Sequence, residues 1–493
     1  MPNQYILAID QGTSSSRCIL FDQKARLVAK SQQALPQSFP NPDRVEHDPE
    51  AIWQTVLRTM REVVEIANIQ AQDIVAIGIS NQRETTLIWD RETGESIYPA
   101  IVWQDRRTSD YCQQRLQYES TIQQKTGLLL NPYFSASKIA WLLDNVDGAR
   151  RRAENGELAF GTVDTFLLWR LSNGQSHYTD VTNASRTLLY NINTQQWDDD
   201  LLALFNIPPA LLPQVKDNCF DFGMTDPSLL GVSIPITAMA GDQQAALFGQ
   251  TCFSPGLMKS TYGTGCFMLL NTGDQIMLSR NKLLSTIAYR INGKISYALE
   301  GSIFMAGAIV DWLQHQLGVI KSAQESERLA SQLSDNGGVY LIPAFTGLGA
   351  PYWRTEAKAA IIGMTRNTNA AHIARAGLEA IVYQTFDLLR TMMDDGAVLP
   401  DALHVDGGMI KNNWLMQFLA DIIGMDVKCC AYSETTALGA AFLAGLHCQC
   451  YASMDELTQL WQVANCFTSN MLKQQRQQHY QQWCELIKKY VLT

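Results

Sequence analysis

The chain has 493 residues, 46% of them apolar and 17% charged, and its 38 Lys+Arg against 48 Asp+Glu leave a net charge of −10. That balance excludes nucleic acid as the main partner and disfavours an anionic membrane surface, because binding to phosphates needs clustered Lys and Arg. At about 150 residues per domain the length fits roughly three domains, or two large α/β units.

The opening residues predict a β-meander: a strand from Tyr5 to Asp10, a turn over Gln11 to Ser15, a strand from Ser16 to Phe21, a polar turn and a third strand. A helix follows over Pro49 to Ala67, with Asp48 as N-cap and Ile52, Trp53, Val56, Leu57, Met60, Val63 and Val64 at helical spacing. Next come a buried strand, Ile74 to Ser80, and a shorter one, Thr85 to Trp89. Near residue 255 the pattern starts again: strand Gly256 to Thr261, a Gly/Thr turn, strand Cys266 to Asn271, a polar turn and a third strand, Lys294 to Leu299. One strand, glycine turn, strand unit is thus repeated at a separation of about 250 residues. Strands Val339 to Ala344 and Leu403 to Asp406 then alternate with helices over Ala370 to Asp394, Asn412 to Gly424 and Thr435 to Leu446, which predicts a mixed sheet covered by helices on both faces. The tail from Met471 carries Lys473, Arg476, Lys488 and Lys489 beside Tyr480, Trp483, Leu486, Ile487 and Tyr490, and reads as an amphipathic helix on the protein's own surface.

The longest apolar candidates, such as Ala437 to Leu446, fall well short of the roughly 18 to 20 residues that cross a bilayer. MPNQYILAIDQG has no basic n-region or long apolar run, so no secretory signal is expected. The eleven Cys include no CxxC pair and read as reduced thiols in a cytoplasmic protein, with Cys429 beside Cys430 and Cys448 near Cys450 as the two close pairs.

Three glycine-bearing turns each leave a strand: Asp10 to Ser16 (DQGTSSS), Tyr262 to Gly265 (YGTG) and Asp406 to Gly408 (DGG). Such turns let backbone N–H groups converge on a phosphate, with Ser and Thr hydroxyls as added donors. Asp10 ends its strand facing the same space, where a carboxylate can hold Mg²⁺ through water. Thr13, Ser14 and Ser15 are placed to cradle terminal phosphates, Arg17 to neutralise their charge, and Thr264 and Gly265 to face them from the second half. Any one turn alone is commonly only a hairpin. Walker A, protein-kinase and dinucleotide fingerprints are absent. Arg83 and Glu84 directly follow a buried strand, at the edge where open α/β sheets place ligands, although a surface ion pair explains them equally well. Asp242, between an apolar strand and a helix, reads locally as an N-cap.

Two such halves resemble the actin-like ATPase (ribonuclease H-like) fold, with a Mg-nucleotide clamped in an interdomain cleft. More specifically, AIDQGTSSSR (8–17), GISNQRETT (78–86), VWQDRR (102–107), Tyr133-x-Ser-x-x-Lys138-x-x-Trp141, AGDQQAALFGQ (240–250), YGTG (262–265) and HVDGG (404–408) resemble the FGGY carbohydrate kinase family. The NQRE, WQDRR and AGDQQAALFGQ segments resemble its glycerol branch. The resemblance implies an α/β protein with an N-terminal domain over residues 1–252 and a C-terminal domain over 253–493. It also implies ATP-dependent phosphorylation of glycerol to sn-glycerol 3-phosphate with Mg²⁺ and a cytoplasmic homo-oligomer, dimer or tetramer. Another FGGY sugar kinase (xylulose, ribulose or gluconate type) and a non-metabolic actin-like ATPase are the alternatives.

By the same resemblance Asp242 is the catalytic base, Arg83, Glu84, Tyr133 and Gln243 bond the polyol, and Trp103 and Phe267 wall its carbons. A charged donor beside a charged acceptor suits three neutral hydroxyls. Gly307, Gly408 and Asn412 are implied to line the adenosine pocket, with helix packing as the alternative for the glycines. Asp311 stands where many members of the glycerol branch carry Gln, which puts an adenine contact there in question. Some bacterial members also carry an Arg-bearing loop for a sugar bisphosphate inhibitor; here residues 228–235 hold no Arg or Lys, so that regulation is not expected.

Overall fold

The computed structural model describes residues 4–345, 347–354 and 356–492. The first half is built on a six-stranded sheet in the spatial order Cys219–Met224, Pro235–Gly241, Ile74–Asn81, Tyr5–Gln11, Ser15–Asp22 and Leu27–Ala34. Pro235–Gly241, Ile74–Asn81 and Tyr5–Gln11 run parallel, and the remaining steps are antiparallel. Every residue of Tyr5–Gln11 is buried, as its continuous apolar run requires of a strand covered on both faces. The second sheet repeats these senses step for step through Val463–Phe467, Asp426–Cys430, Ala402–Asp406, Met258–Tyr262, Cys266–Gly273 and Lys294–Ile303. The repeat inferred from two glycine turns is therefore a repeat of topology.

Three expected strands need correction. Leu284–Ile291 precedes Lys294–Ile303 and forms the sheet's edge, so Lys294–Ile303 lies between it and Cys266–Gly273. The hairpin turn is Asn292-Gly293, both at positive φ, a signal present in the sequence. The strand expected from Thr85 begins at Leu87 and pairs with Leu158–Gly161 outside the main sheet. The residues before it form a turn around Glu84, whose φ is +60°. The strand expected over Val339 to Ala344 shortens to Tyr340–Ile342 and pairs only with Ala360–Ile362, away from the main sheet.

The helices follow their caps and periods. In Pro49–Ala67, Asp48 Oδ1 accepts from Glu50 N at 2.9 Å. Ala370–Asp394 carries Asn369 as N-cap, and Lys473–Tyr490 buries Trp483 and Ile487 on the second-half core, with Trp483 Nε1 donating to Asp387 at 2.9 Å. Thr435–His447 belongs to the second half in sequence yet packs on strands of the first sheet and against Asp242–Gly249. A Cβ on Gly439 would stand 1.8 Å from Ala245 O, and one on Gly249 2.1 Å from Thr435 O, so these two helices meet backbone to backbone. Ile6 and Ala8 accordingly share one apolar cluster with Ala437, Ala440 and Ala444. Among the described residues no helix is long and apolar enough to cross a membrane.

Candidate active site

Residues that follow the parallel strands of the first sheet contact the second half, as Arg83 does at Glu300 and Gln243 at Lys259. Arg83 and Glu84 lie two and three residues beyond Ile74–Asn81 and are 3% and 1% exposed, which rules out a surface ion pair. Glu84 is held in its left-handed turn by hydroxyls on its own carbonyl, from Thr86 Oγ1 and Ser135 Oγ, both at 3.0 Å. Its carboxylate is 4.0 Å from Arg83 Nε but accepts from Arg186 Nε at 2.6 Å. Arg83 turns its fork to Glu300, with Nη1 at 2.6 Å and Nη2 at 3.0 Å, and Arg186 Nη2 reaches the same carboxylate at 3.0 Å. Gln244 Oε1 also accepts from Arg83 Nη1, at 3.2 Å. Glu300 stands on Lys294–Ile303 of the second half, so this network joins the two halves.

Burial disfavours the charge on Glu300, but the Arg186 and Arg83 guanidiniums outweigh it and bring the carboxyl down to about 2. Burial raises Glu84 despite the same two cations, and the carboxylates in turn hold Arg83 above its usual value against its own burial. Arg186, Glu300 and Gln244 escaped the sequence reading because their partners lie 102 to 217 residues away. One signal was available: Glu300 directly follows the apolar Tyr297-Ala298-Leu299 of an expected strand.

Asp242 opens the helix Asp242–Gly249 as its first residue. The N-cap is Gly241, so the expected capping role moves by one position, and Asp242 Oδ1 accepts instead from the N–H of Gln243 at 2.7 Å. The same Oδ1 stands 3.2 Å from Arg83 Nε. The Asp242 side chain is 30% exposed against 2% for Arg83, so the carboxylate is partly open to solvent over a buried cation.

Trp103 packs edge-on against Tyr133 and Phe267, with ring centroids 5.5 and 6.5 Å apart. Lys138 fixes Tyr133 by donating its ammonium protons to the carbonyls of Pro132, Tyr133 and Phe134, which explains the Tyr-x-Ser-x-x-Lys spacing. Burial brings Lys138 down to about 7. Gln243 Oε1 is committed to Lys259 Nζ at 2.5 Å.

The aromatic cluster touches the turn after Tyr5–Gln11 directly: Trp103 Nε1 donates to Thr13 Oγ1 at 2.9 Å. In that turn Gly12 N donates to Ser15 O, Ser15 Oγ accepts from Gln32 Nε2, and Ser14 is exposed. Asp10 is buried opposite its cross-strand neighbour Arg17, whose Nη1 lies 3.5 Å from Asp10 and 3.2 Å from Glu434. The cation expected to face phosphates is thus shared between two carboxylates. Burial pushes Asp10 up to about 6; Arg17 opposes this, and Asp242 and Glu434 add to it.

From the second half, the carbonyls of Gly263 and Thr264 accept the N–H groups of Ala306, Gly307 and Ala308. A Cβ on Gly307 would meet Gly263 O at 2.6 Å and one on Gly265 would meet Ile303 O at 2.7 Å, so turn and helix packing accounts for both glycines. At Gly408 packing fails as the reason, since a Cβ there would meet nothing within 4 Å; the close approach belongs to Gly407, with φ +95° and a Cβ position 2.4 Å from Tyr262 O. Asn412 caps the helix Asn413–Ile423 through Leu415 N at 2.9 Å, and Asp311 is exposed one helical turn beyond Gly307. No cluster of three or more His, Cys, Asp or Glu suited to a metal occurs among the described residues.

Residues 5–249 match the FGGY family of carbohydrate kinases, N-terminal domain, and residues 258–448 match its C-terminal domain. A glycerol kinase of Coxiella burnetii is 56% identical over 490 residues, covering 99% of this chain and 98% of that protein. Glycerol kinase 1 of Pseudomonas aeruginosa is 55% identical over 489 residues, covering 99% of each. Among solved structures, Plasmodium falciparum glycerol kinase with ADP superposes with a TM-score of 0.93 at 38% identity, over 100% of this chain and 99% of that one. A xylulose kinase of Lactobacillus acidophilus reaches 0.88 at 21% identity over 99% and 98%, a likeness of fold alone. The chain belongs to the FGGY family of carbohydrate kinases, in its glycerol kinase branch.

Proposed function

We propose that this protein transfers the γ-phosphoryl group of ATP to glycerol, giving sn-glycerol 3-phosphate and ADP. The observation that carries this reading is the Asp242 carboxylate, partly open to solvent and 3.2 Å from Arg83, taken with buried Glu84 and the cluster of Trp103, Tyr133 and Phe267. Glycerol's hydroxyls match a site that mixes guanidinium donors with carboxylate acceptors, and an analogue lacking one hydroxyl leaves buried polar groups unpaired. Asp242 orients the attacking hydroxyl in line with the γ-phosphorus and accepts its proton late in the transfer. Thr13, held by Trp103, ties the polyol wall to the phosphate turn, and Thr264 and Gly265 approach from the other half. Gly408 leaves open backbone for the nucleoside, four residues before Asn412.

Asp10 fits a Mg²⁺ held through water: it is a buried carboxylate whose ionisation is disfavoured, with Asp242 repelling it, and a divalent cation reverses both effects. When bound, the ion neutralises charge on the phosphates. Burial pushes the Asp10 carboxyl up to about 6, so protons compete with the cation as pH falls towards that value. The apparent KM for Mg-ATP should therefore rise between pH 7.5 and pH 5.5, and Asp10→Asn should raise it at both and flatten the profile. A wild-type KM indifferent to that change removes Asp10 from cation binding.

ADP release measured over glycerol, xylulose, ribulose and gluconate tests the substrate assignment. Glycerol is expected to give the largest kcat/KM; a sugar exceeding it assigns the chain to another FGGY activity, and hydrolysis indifferent to every acceptor favours an actin-like ATPase. We also read the protein as a cytoplasmic homo-oligomer: its eleven cysteines are free thiols, which suits a reducing compartment, and sedimentation would report a dimer or tetramer.

A further inference from the structure

Away from this site, the turn after Thr435–His447 brings two cysteines face to face. Cys448 closes the helix, and Gln449 takes φ +61°, a left-handed conformation that costs a non-glycine residue energy. The chain folds back so that Cys448 Sγ and Cys450 Sγ share a hydrogen bond at 3.2 Å. The turn is anchored by the N–H of Cys450 on Gly445 O at 2.8 Å and by buried Tyr451, while both thiols stay half-buried rather than sealed. The other close pair, Cys429 and Cys430, is buried on a strand, where adjacent side chains point to opposite faces.

We propose that Cys448 and Cys450 form a reversible oxidation site that reacts with hydrogen peroxide and closes a disulfide at the end of this helix. The contact with Cys450 holds Cys448 below the usual thiol value, which favours Cys448 as the attacking sulfur. Its thiolate attacks one peroxide oxygen. The S–O bond forms, the O–O bond breaks, and the departing hydroxide takes up a proton. Cys450 then loses its proton and attacks Cys448 Sγ; the S–S bond forms and the S–O bond breaks, releasing water. Two thiols and one H₂O₂ become one disulfide and two waters. The geometry favours the second step, because the resolving sulfur already sits in contact with Cys448 Sγ. In a reducing compartment such a bond is transient, as redox-sensing disulfides are.

The full-length protein is treated with stoichiometric peroxide, its remaining thiols are alkylated, and its peptides are mapped by mass. The peptide containing residues 448–450 should lose two hydrogens, escape alkylation and be restored by dithiothreitol. Cys450→Ser should leave a sulfenic acid at Cys448 that dimedone traps, and Cys448→Ser should leave Cys450 unoxidised. Full alkylation of both thiols after peroxide, or a disulfide forming first between other cysteines, would overturn the proposal. Dimedone labelling at Cys450 in the Cys448→Ser protein, at a rate matching Cys448, would overturn the assignment of the attacking sulfur.

Discussion

Asp242→Asn is expected to lower kcat by about 10² to 10⁴ while the KM values for ATP and glycerol stay close to wild type. The reason is local. Asn keeps the size and a hydrogen-bonding oxygen for Arg83 Nε and for the N–H of Gln243, but it cannot take the proton that the attacking hydroxyl sheds. The helix start survives because Gly241, not Asp242, is the N-cap. At about 1.36 kcal/mol per decade, the loss corresponds to roughly 3–5 kcal/mol of transition-state stabilisation. Steady-state ADP release decides it: near wild-type turnover excludes Asp242 as the base.

The second large effect concerns a residue that contacts neither proposed substrate. Glu300→Gln removes the anion shared by Arg83 and Arg186, leaving two buried guanidiniums with less compensating charge. Breaking a buried ion network by removing one partner costs about 3–5 kcal/mol, so the denaturation midpoint should fall clearly. Because Glu300 comes from the second half and Arg83 and Arg186 from the first, the change also loosens the placement of Arg83 under the polyol. The KM for glycerol should accordingly rise more than the KM for ATP. The pH dependence has a definite sign. The Glu300 carboxyl sits at about 2 in the folded chain, below its unfolded value of about 4.3, so its contribution is present above that value and is lost as pH falls towards 2. The stability gap between wild type and variant should therefore shrink on acidification. An unchanged midpoint together with an unchanged glycerol KM would show the network to be dispensable.

Much of the architecture is local and was legible from periodicity and capping. Pro49–Ala67, Ala370–Asp394 and the two strand, glycine turn, strand units form where apolar spacing, Asp48 and the glycines indicate. Two of the three misread strands share one cause. At Thr85 and Val339 apolar content suggested a continuous element, but turn geometry around Glu84 and pairing with distant partners set its limits. The site divides in the same way. DQGT, NQRE, AGDQQ and DGG mark the strand ends where chemistry collects, since a strand that delivers a polar residue to the site must end there. The reasons for individual residues were less legible: Gly307 and Gly265 serve the turn and helix packing, while Gly408 is free of it.

The sequence by itself determined that two similar α/β halves each present a glycine turn and that Asp10, Arg83, Glu84 and Asp242 lie at strand ends, because those facts depend on neighbours within a few residues. Only the tertiary structure decided that Arg186 and Glu300 complete the charge balance under Asp242, that Arg17 is shared between Asp10 and Glu434, and that Thr13 is bound to Trp103. Apart from the cross-strand pair Asp10 and Arg17, those contacts join residues tens to hundreds of positions apart. The energies of the ion pairs among them come from excluding water around opposite charges, and the chain order does not say which partners will meet there.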